Sequence, residues 1–270
     1  MPALDQAAGD ELMHALTAVS VAAALAIRHS SGNGRVRIKA DGSPVTSADE
    51  ASEAVIRREL ERLAPAFPII SEEQAERDKP SVRGGSVILV DPLDGTRDYI
   101  AARDEYTVNI ALVTDGVPAL GVIAAPALGL IWRGIVGRGA ERLEFANDGK
   151  ALPPRPIHTR RAAENLIVTV SRSHLEQRTQ AYLDGLAQAK VIRCGSAVKF
   201  CRIAEGVADH YPRLAPTRDW DVAAGHAILA AAGGSVIAPD GGDLVYGTPD
   251  LRIPGFLAWG DAKRAARITG

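Results

Sequence analysis

The sequence predicts an α/β layered sandwich, mixed α and β elements stacked around more than one sheet, and three observations carry that expectation. Val87-Ile-Leu-Val90 is an unbroken apolar run closed by Gly84-Gly85 and Asp91-Pro92, as a strand buried on both faces requires. Residues 107–113, 120–124 and 130–136 follow as strand-length segments separated by Asp115-Gly116, Pro126 and Gly137, the spacing of an antiparallel meander. Beyond residue 156, strand-like and helix-like segments alternate.

Taken in order, the apolar stretch 15–27 is interrupted by Thr17 and Ser20 and is shorter than the ~20 residues a membrane span needs. It follows Asp5, Asp10 and Glu11 rather than a basic segment, so it reads as an amphipathic helix packed inside the protein, not an export signal or a transmembrane segment. Helical spacing resumes over 47–63, with Ser47 and Glu50 in capping-box positions. Residues 67–70 form a short strand that ends at Ser71-Glu72-Glu73. The composition changes between Phe145 and Pro156, which divides the chain into an α+β part, 1–150, and an α/β part, 151–270. Strands are expected at 166–170, 191–193, 235–238 and 256–259, and helices at 175–187, 197–205 and 219–232. Trp132 and Trp259 fall in strand patterns and read as core.

With 270 residues, 46% hydrophobic and 24% charged, the chain is long enough to bury a core without staples. Its 31 basic and 33 acidic side chains lack the basic excess of a general nucleic-acid binder, so an anionic ligand must be met by a local site. Cys194 and Cys201 are too few for a disulfide framework and read as inert thiols.

Chemistry concentrates at Asp91-Pro-Leu-Asp-Gly-Thr96. Its two carboxylates directly follow a buried strand, at the carboxyl end where open α/β sheets place ligands. Burying two like charges is costly unless a cation neutralises them, and hard oxygen donors suit Mg2+ or Mn2+. Gly95 and Thr96 add backbone amides which, at a helix start, point at an anion. Each residue of the pentapeptide 91–95 also favours a turn, so alone it is ambiguous. Glu72 at the end of another strand and Asp221 in Asp219-Trp-Asp221 add acids, although a first-turn carboxylate also serves a helix dipole. Asp49 reads equally as a solvated first-turn acid. His226 reads as a packing or hydrogen-bonding residue.

As a set these residues resemble the inositol monophosphatase and fructose-1,6-bisphosphatase superfamily of metal-dependent, lithium-sensitive phosphatases. Val90-Asp-Pro-Leu-Asp-Gly-Thr96 matches its first signature and Trp220-Asp-Val-Ala-Ala-Gly225 its second, followed by Gly233-Gly234. Ser71-Glu72-Glu73 and Val45-Thr-Ser-Ala-Asp49 fit as well, and the matches run in order from Asp41 to Gly234. The resemblance implies an αβαβα fold. It narrows at Ser171-Arg-Ser-His174, Gly195-Ser-Ala-Val-Lys199, Ala204-Glu-Gly206, Tyr211-Pro-Arg213 and Pro216-Thr217, which are similar to the bacterial CysQ-type 3'(2'),5'-bisphosphate nucleotidases.

The resemblance implies two or three Mg2+ ions, with Mn2+ as a substitute. Glu72, Asp91 and the carbonyl of Leu93 would hold one ion, and Asp91, Asp94 and Asp221 another. Glu72 and Thr96, with Asp49 accepting from the Thr96 hydroxyl, would be catalytic. Gly95, Thr96, His174, Ser196, Lys199, Arg213 and Asp221 would contact substrate, since a nucleotide bisphosphate brings a second dianion that needs its own cations. The implied partner is a small nucleotide bisphosphate, and the implied location is the cytoplasm, with peripheral contact to the inner membrane as the other option. Two other expectations are weighed beside it: another phosphatase of the superfamily acting on inositol monophosphate, fructose bisphosphate or histidinol phosphate, and an idle nucleotide-binding regulator. Arg218-Asp219 departs from the nucleotidase pattern, with Asp219 as a helix cap and Arg218 facing substrate or water.

Overall fold

The computed structural model describes residues 5–30, 36–39, 42–75, 85–173, 175–186 and 188–266. Helix α1 (Gln6–His29) turns Leu12, Leu16, Val19, Ala23 and Ile27 inward at three- and four-residue spacing. At 24 residues it outruns the 15–27 stretch and is, among the described residues, long and apolar enough to cross a membrane. The expected length limit is thus corrected. The expected packing stands, since the apolar face lies against a second helix and a sheet.

A short ladder of β1 (Arg37–Ile38) and β2 (Pro44–Val45) leads into α2 (Ser47–Leu63). The helix has the expected bounds but a different cap. Thr46, with extended backbone, is the N-cap: its hydroxyl accepts from Ala48 N at 3.2 Å, and Asp49 accepts from Thr46 N at 2.8 Å. Ser47 and Glu50 stand one residue too far along for that role.

The chain continues through β3 (Ile69–Ser71), α3 (Glu72–Ala75), β4 (Ser86–Asp94), α4 (Thr96–Ile100), β5 (Thr107–Thr114), β6 (Val117–Ala125), β7 (Leu130–Ile135), β8 (Gly139–Glu144) and β9 (Arg155–Ile157). These seven strands form one sheet in chain order, with β3 parallel to β4 and the rest an antiparallel meander. β4 does not stop at Val90 as expected. It runs to Asp94 through a register shift between Asp91 and Asp94, the kind of irregularity that re-aims side chains beside a site. Residue 150, where the composition changes, falls between β8 and β9 of this sheet.

The remainder is β10 (Ile167–Ser171), α5 (Gln177–Asp184), β11 (Lys190–Cys194), α6 (Val198–Ala204), β12 (His210–Arg213), β13 (Thr217–Arg218), α7 (Asp219–Ala231), β14 (Ser235–Ile237), β15 (Arg252–Ile253), β16 (Phe256–Trp259) and α8 (Ala262–Ala266). A second sheet has the order β11-β10-β12-β16-β14, and β13 pairs with β15. Strand β12 has no sequence signal, because Pro212 interrupts it. Proline is accommodated here because pairing to β10 is confined to Val168 and His210.

Three apolar layers hold five layers of structure together. Alternation along β4 sends Ile88 and Val90 to α1 and α2, and Val87 and Leu89 to the opposite side. On that opposite side the first sheet meets Phe200 of α6, Ala224 and Ile228 of α7, and Phe256 of the second sheet. The far face of the second sheet packs Val168, Val170 and Trp259 against Leu183 of α5 and Ala265 of α8. The result is the αβαβα stack. Helix α7 lies in close contact with both neighbours. A Cβ on Gly121 would stand 2.4 Å from the Ala224 carbonyl oxygen, and one on Gly225 would stand 2.3 Å from Phe200 Cδ2. Cys194 and Cys201 are buried free thiols, and burial pushes the pKa of each up.

His210 on β12 is fully buried and stacks on Trp259, ring centroids 3.6 Å apart. Its Nδ1 lies 2.9 Å from the Ala258 carbonyl and its Nε2 3.1 Å from the Tyr182 hydroxyl. A carbonyl only accepts, so Nδ1 carries the proton and Nε2 accepts from Tyr182. Burial pushes this imidazole down to about 3 from an ordinary 6.5. Below the ordinary value the unfolded chain takes up a proton that the fold refuses. The stability held by neutral His210 is therefore complete above that value and is lost as pH falls toward about 3. In His210→Gln, which cannot titrate, the stability gap to the parent, measured by urea unfolding, should shrink by about 1.6 kcal/mol between pH 6.5 and 5. A gap that stays constant would show that folding leaves the His210 pKa unmoved.

Candidate active site

The irregular end of β4 presents Asp91, Leu93 and Asp94 to a cleft of about 290 Å³. Glu72 enters it from the start of α3, Gly95 and Thr96 from the start of α4, and Asp221 from the first turn of α7. Ser196 and Lys199 come from the α6 region and Arg213 from the end of β12. Side chains far apart in sequence thus share one cleft, formed between the two sheets. Gly95 has φ +90°, a left-handed conformation that lets the chain turn directly from strand into helix. Asp49 does not line the cleft but reaches it through Thr96, whose hydroxyl donates to Asp49 Oδ1 at 3.0 Å and approaches the Leu93 carbonyl at 3.2 Å. Asp49 is buried, so it is no solvated first-turn acid. His174 lies outside the described residues.

The cleft is short of positive charge. Burial, reinforced by Glu72, Asp94, Asp221 and Asp49, pushes the Asp91 carboxyl far above the usual range. Burial and then Asp221 push Asp94 up, opposed by Lys199, Ser196 and Arg213. Burial lifts Glu72 to about 8 against the pull of Lys39. Desolvated carboxylates that repel one another are costly until a cation joins them.

No three His, Cys, Asp or Glu side chains among the described residues already stand as a metal cage. Each acid instead faces a protein donor. Glu72 accepts from Lys39 Nζ at 2.8 Å and Asp94 from the Ser196 hydroxyl at 2.6 Å. Asp91 accepts from Leu93 N at 3.0 Å, and Asp221 from the Thr217 hydroxyl and from Arg218 N at 3.1 Å. Glu72, Asp91, Asp94 and Asp221 thus line one cleft without forming a closed ligand set, each turned to a nearby protein donor. Their all-oxygen donor chemistry and surplus buried charge fit a hard divalent cation.

Away from the acids, Lys199 is buried, donates to the Ser196 carbonyl, and holds its ammonium 5.2 Å over the Tyr211 ring. Arg213 Nε is buried with no hydrogen-bond partner among the described residues, a donor available to an anion in the cleft. Ser196 lines the cleft with its hydroxyl turned to Asp94.

Several contributors have no motif in the sequence. Lys39, just past β1, lies 2.8 Å from both Glu72 and Glu73. The Asp41-Gly42 turn signal after it was the available clue to a hairpin there. Inside an apolar strand pattern, Thr107 contacts both Ser196 and Asn109. The departing pair Arg218-Asp219 is structural. Asp219 is no cap: it accepts from Gly247 N at 2.6 Å, and burial lifts its carboxyl to about 6. Arg218 occupies the cap position, donates to the Asp250 carbonyl at 3.0 Å and does not line the cleft. His226 contacts the Tyr246 hydroxyl at 2.9 Å, as a packing residue would.

The family model described as "Inositol monophosphatase family" matches residues 9–268. A "3'(2'),5'-bisphosphate nucleotidase CysQ" from Buchnera aphidicola subsp. Acyrthosiphon pisum is 40% identical over 211 residues, 78% of this chain and 77% of its own. A "Histidinol-phosphatase" from Mycobacterium tuberculosis is 31% identical over 258 residues, 92% of this chain and 95% of its own. Among solved structures, CysQ from Bacteroides thetaiotaomicron matches with a TM-score of 0.75 at 32% identity, covering 91% of this chain and 96% of that one.

Proposed function

The chain belongs to the inositol monophosphatase family, and from that premise we propose that it is a Mg2+-dependent 3'(2'),5'-bisphosphate nucleotidase. It would convert adenosine 3',5'-bisphosphate, and by the same chemistry 3'-phosphoadenosine 5'-phosphosulfate, into the 5'-nucleotide and inorganic phosphate. One observation carries the choice of substrate: the acidic cleft also holds the buried Lys199 and the half-buried Arg213, whose Nε is itself buried and unpartnered among the described residues. A monophosphate has no second dianion to occupy that seat.

Glu72, Asp91, the Leu93 carbonyl, Asp94 and Asp221 are the groups that would hold Mg2+. Bound there, the ions supply an acidified water and neutralise charge on the leaving oxygen. Thr96 spends its hydroxyl proton on Asp49, so its lone pairs are free to accept from the attacking water, with Glu72 as the base. The water oxygen bonds to phosphorus as Glu72 takes its proton, the P–O3' bond breaks, and the 3'-oxygen leaves as a hydroxyl after taking a proton from a solvent water. The amides of Gly95 and Thr96 face the phosphoryl oxygens, and Lys199 and Arg213 hold the 5'-phosphate. The enzyme works on a small solute in the cytoplasm and takes no nucleic acid.

The histidinol-phosphatase relative covers more of the chain than the nucleotidase does, so the deciding panel includes its substrate. Phosphate release is compared for adenosine 3',5'-bisphosphate, inositol 1-phosphate and histidinol phosphate, each with and without Mg2+. The bisphosphate should have the highest kcat/KM and need Mg2+. Faster turnover of either monophosphate would reassign the substrate, and turnover of all three in a chelator would remove the metal.

A further inference from the structure

Strand β5 runs beside the irregular end of β4 in the register Asp91↔Asn109 and Asp94↔Thr107. Thr107 and Asn109 are two apart, so they share one face of the strand, and both are buried. Their polar atoms extend a chain that ends on Asp94. The Ser196 hydroxyl donates to Asp94 Oδ2 at 2.6 Å, the Ser196 and Thr107 hydroxyls touch, and Thr107 Oγ1 lies 2.8 Å from Asn109 Oδ1. Three contacts therefore share two hydroxyl protons. Asn109 Nδ2, meanwhile, is buried with no partner among the described residues.

Turning the Asn109 amide over resolves the count, because the oxygen and nitrogen of an amide are assigned by the network around them. The Asn109 N–H then donates to Thr107, Thr107 to Ser196, and Ser196 to Asp94, one proton for each contact. The opposite direction would need a protonated Asp94, whereas a carboxylate that holds a metal is ionised and only accepts. Ser196 itself has φ +48°, costly for a side-chain-bearing residue, and its neighbour Gly195 is tied by its N–H to Glu105 Oε2 at 2.9 Å. A serine held in that conformation between Asp94 and the buried Thr107 of another sheet has little freedom to do anything but aim Asp94.

We propose that Thr107 and Asn109 are positioning residues that fix the orientation of Asp94 through Ser196. This rests on the function proposed above, in which Asp94 holds Mg2+. Calorimetric titration with Mg2+ reads the inference without turnover. Thr107→Val should weaken Mg2+ binding by about tenfold, the low end of what removing a ligand's own hydrogen-bond partner costs, because Thr107 acts on Asp94 only through Ser196. Thr107→Ser should return it to within about threefold of the parent, and Thr107→Val added to Ser196→Ala should be no weaker than Ser196→Ala alone. KM for the bisphosphate at saturating Mg2+ should move less than about threefold.

Parent-like Mg2+ affinity in Thr107→Val, or losses that add in the double variant, would overturn the inference, as would a parent that binds no Mg2+. Should Thr107→Val not fold, Thr107→Ala carries the same measurement. A parent that binds Mg2+ but releases no phosphate from the bisphosphate would end the functional proposal alone, and the calorimetry would still decide the role of Thr107.

Discussion

Asp94→Asn should release phosphate from adenosine 3',5'-bisphosphate about a thousandfold more slowly than the parent at saturating Mg2+, equivalent to ~4 kcal/mol of lost charge stabilisation. The amide keeps an oxygen for the Ser196 hydroxyl and matches the carboxylate in shape, so only the charge is removed. A misfolded variant would also be inactive, and thermal unfolding separates the two causes. Asp94 is half-buried, and desolvation followed by the charge of Asp221 pushes its carboxyl up, so without Mg2+ the neutral variant should unfold at the parent's temperature or above it. Mg2+ at a hundred times its Kd should stabilise the parent by about 2.7 kcal/mol and the variant by clearly less. An equal Mg2+ response in both, or a tenth or more of the parent's activity in Asp94→Asn, would take Asp94 out of the metal site. Asp221→Asn should behave alike in activity.

The parts of this molecule that could be read from its sequence are those where the signal is local. Strands β4 to β7 are apolar runs cut by Asp-Gly and Pro, and helices α2, α6 and α7 show their periodicity within their own spans. The acids at 91, 94 and 221 sit in the two motifs that match the superfamily's signatures, so it was the resemblance that implied their meeting in one cleft. What escaped depends on partners elsewhere in the chain. β12 contains a proline and becomes a strand only because β16 pairs with it along its whole length. Lys39 gains its role from Glu72 and Glu73, thirty-odd residues away. Thr107 and Asn109 read as the polar minority of a buried strand, and only the register with β4 puts them next to Asp91 and Asp94. The capping residue moved from Ser47 to Thr46 for a related reason: both types cap helices well, and backbone conformation, not residue type, decides which one does.

Lys199→Met should separate the two phosphate seats. The thioether keeps most of the buried volume beside Phe200 and Tyr211 and removes the ammonium. Two losses are expected, and they differ in kind. Lys199 donates to the Ser196 carbonyl, so its removal loosens the residue that faces Asp94, and every substrate pays equally for that. Only a substrate with a 5'-phosphate loses a charge-assisted hydrogen bond as well, about 1.5–3 kcal/mol, or roughly tenfold to a hundredfold in kcat/KM. Adenosine 3'-monophosphate has the same base and the same reacting phosphate without the second dianion, so the ratio of kcat/KM between the bisphosphate and this monophosphate cancels the shared loss. That ratio should fall by roughly tenfold or more in Lys199→Met, mainly through KM, because holding a remote phosphate contributes alike to ground and transition states. Raising the salt concentration should shrink the bisphosphate preference of the parent more than that of the variant, since a charge pair is screened and a thioether is not. If the ratio is unchanged while both substrates slow together, Lys199 serves Ser196 alone, and Arg213 with its free Nε is left as the group that meets the second phosphate.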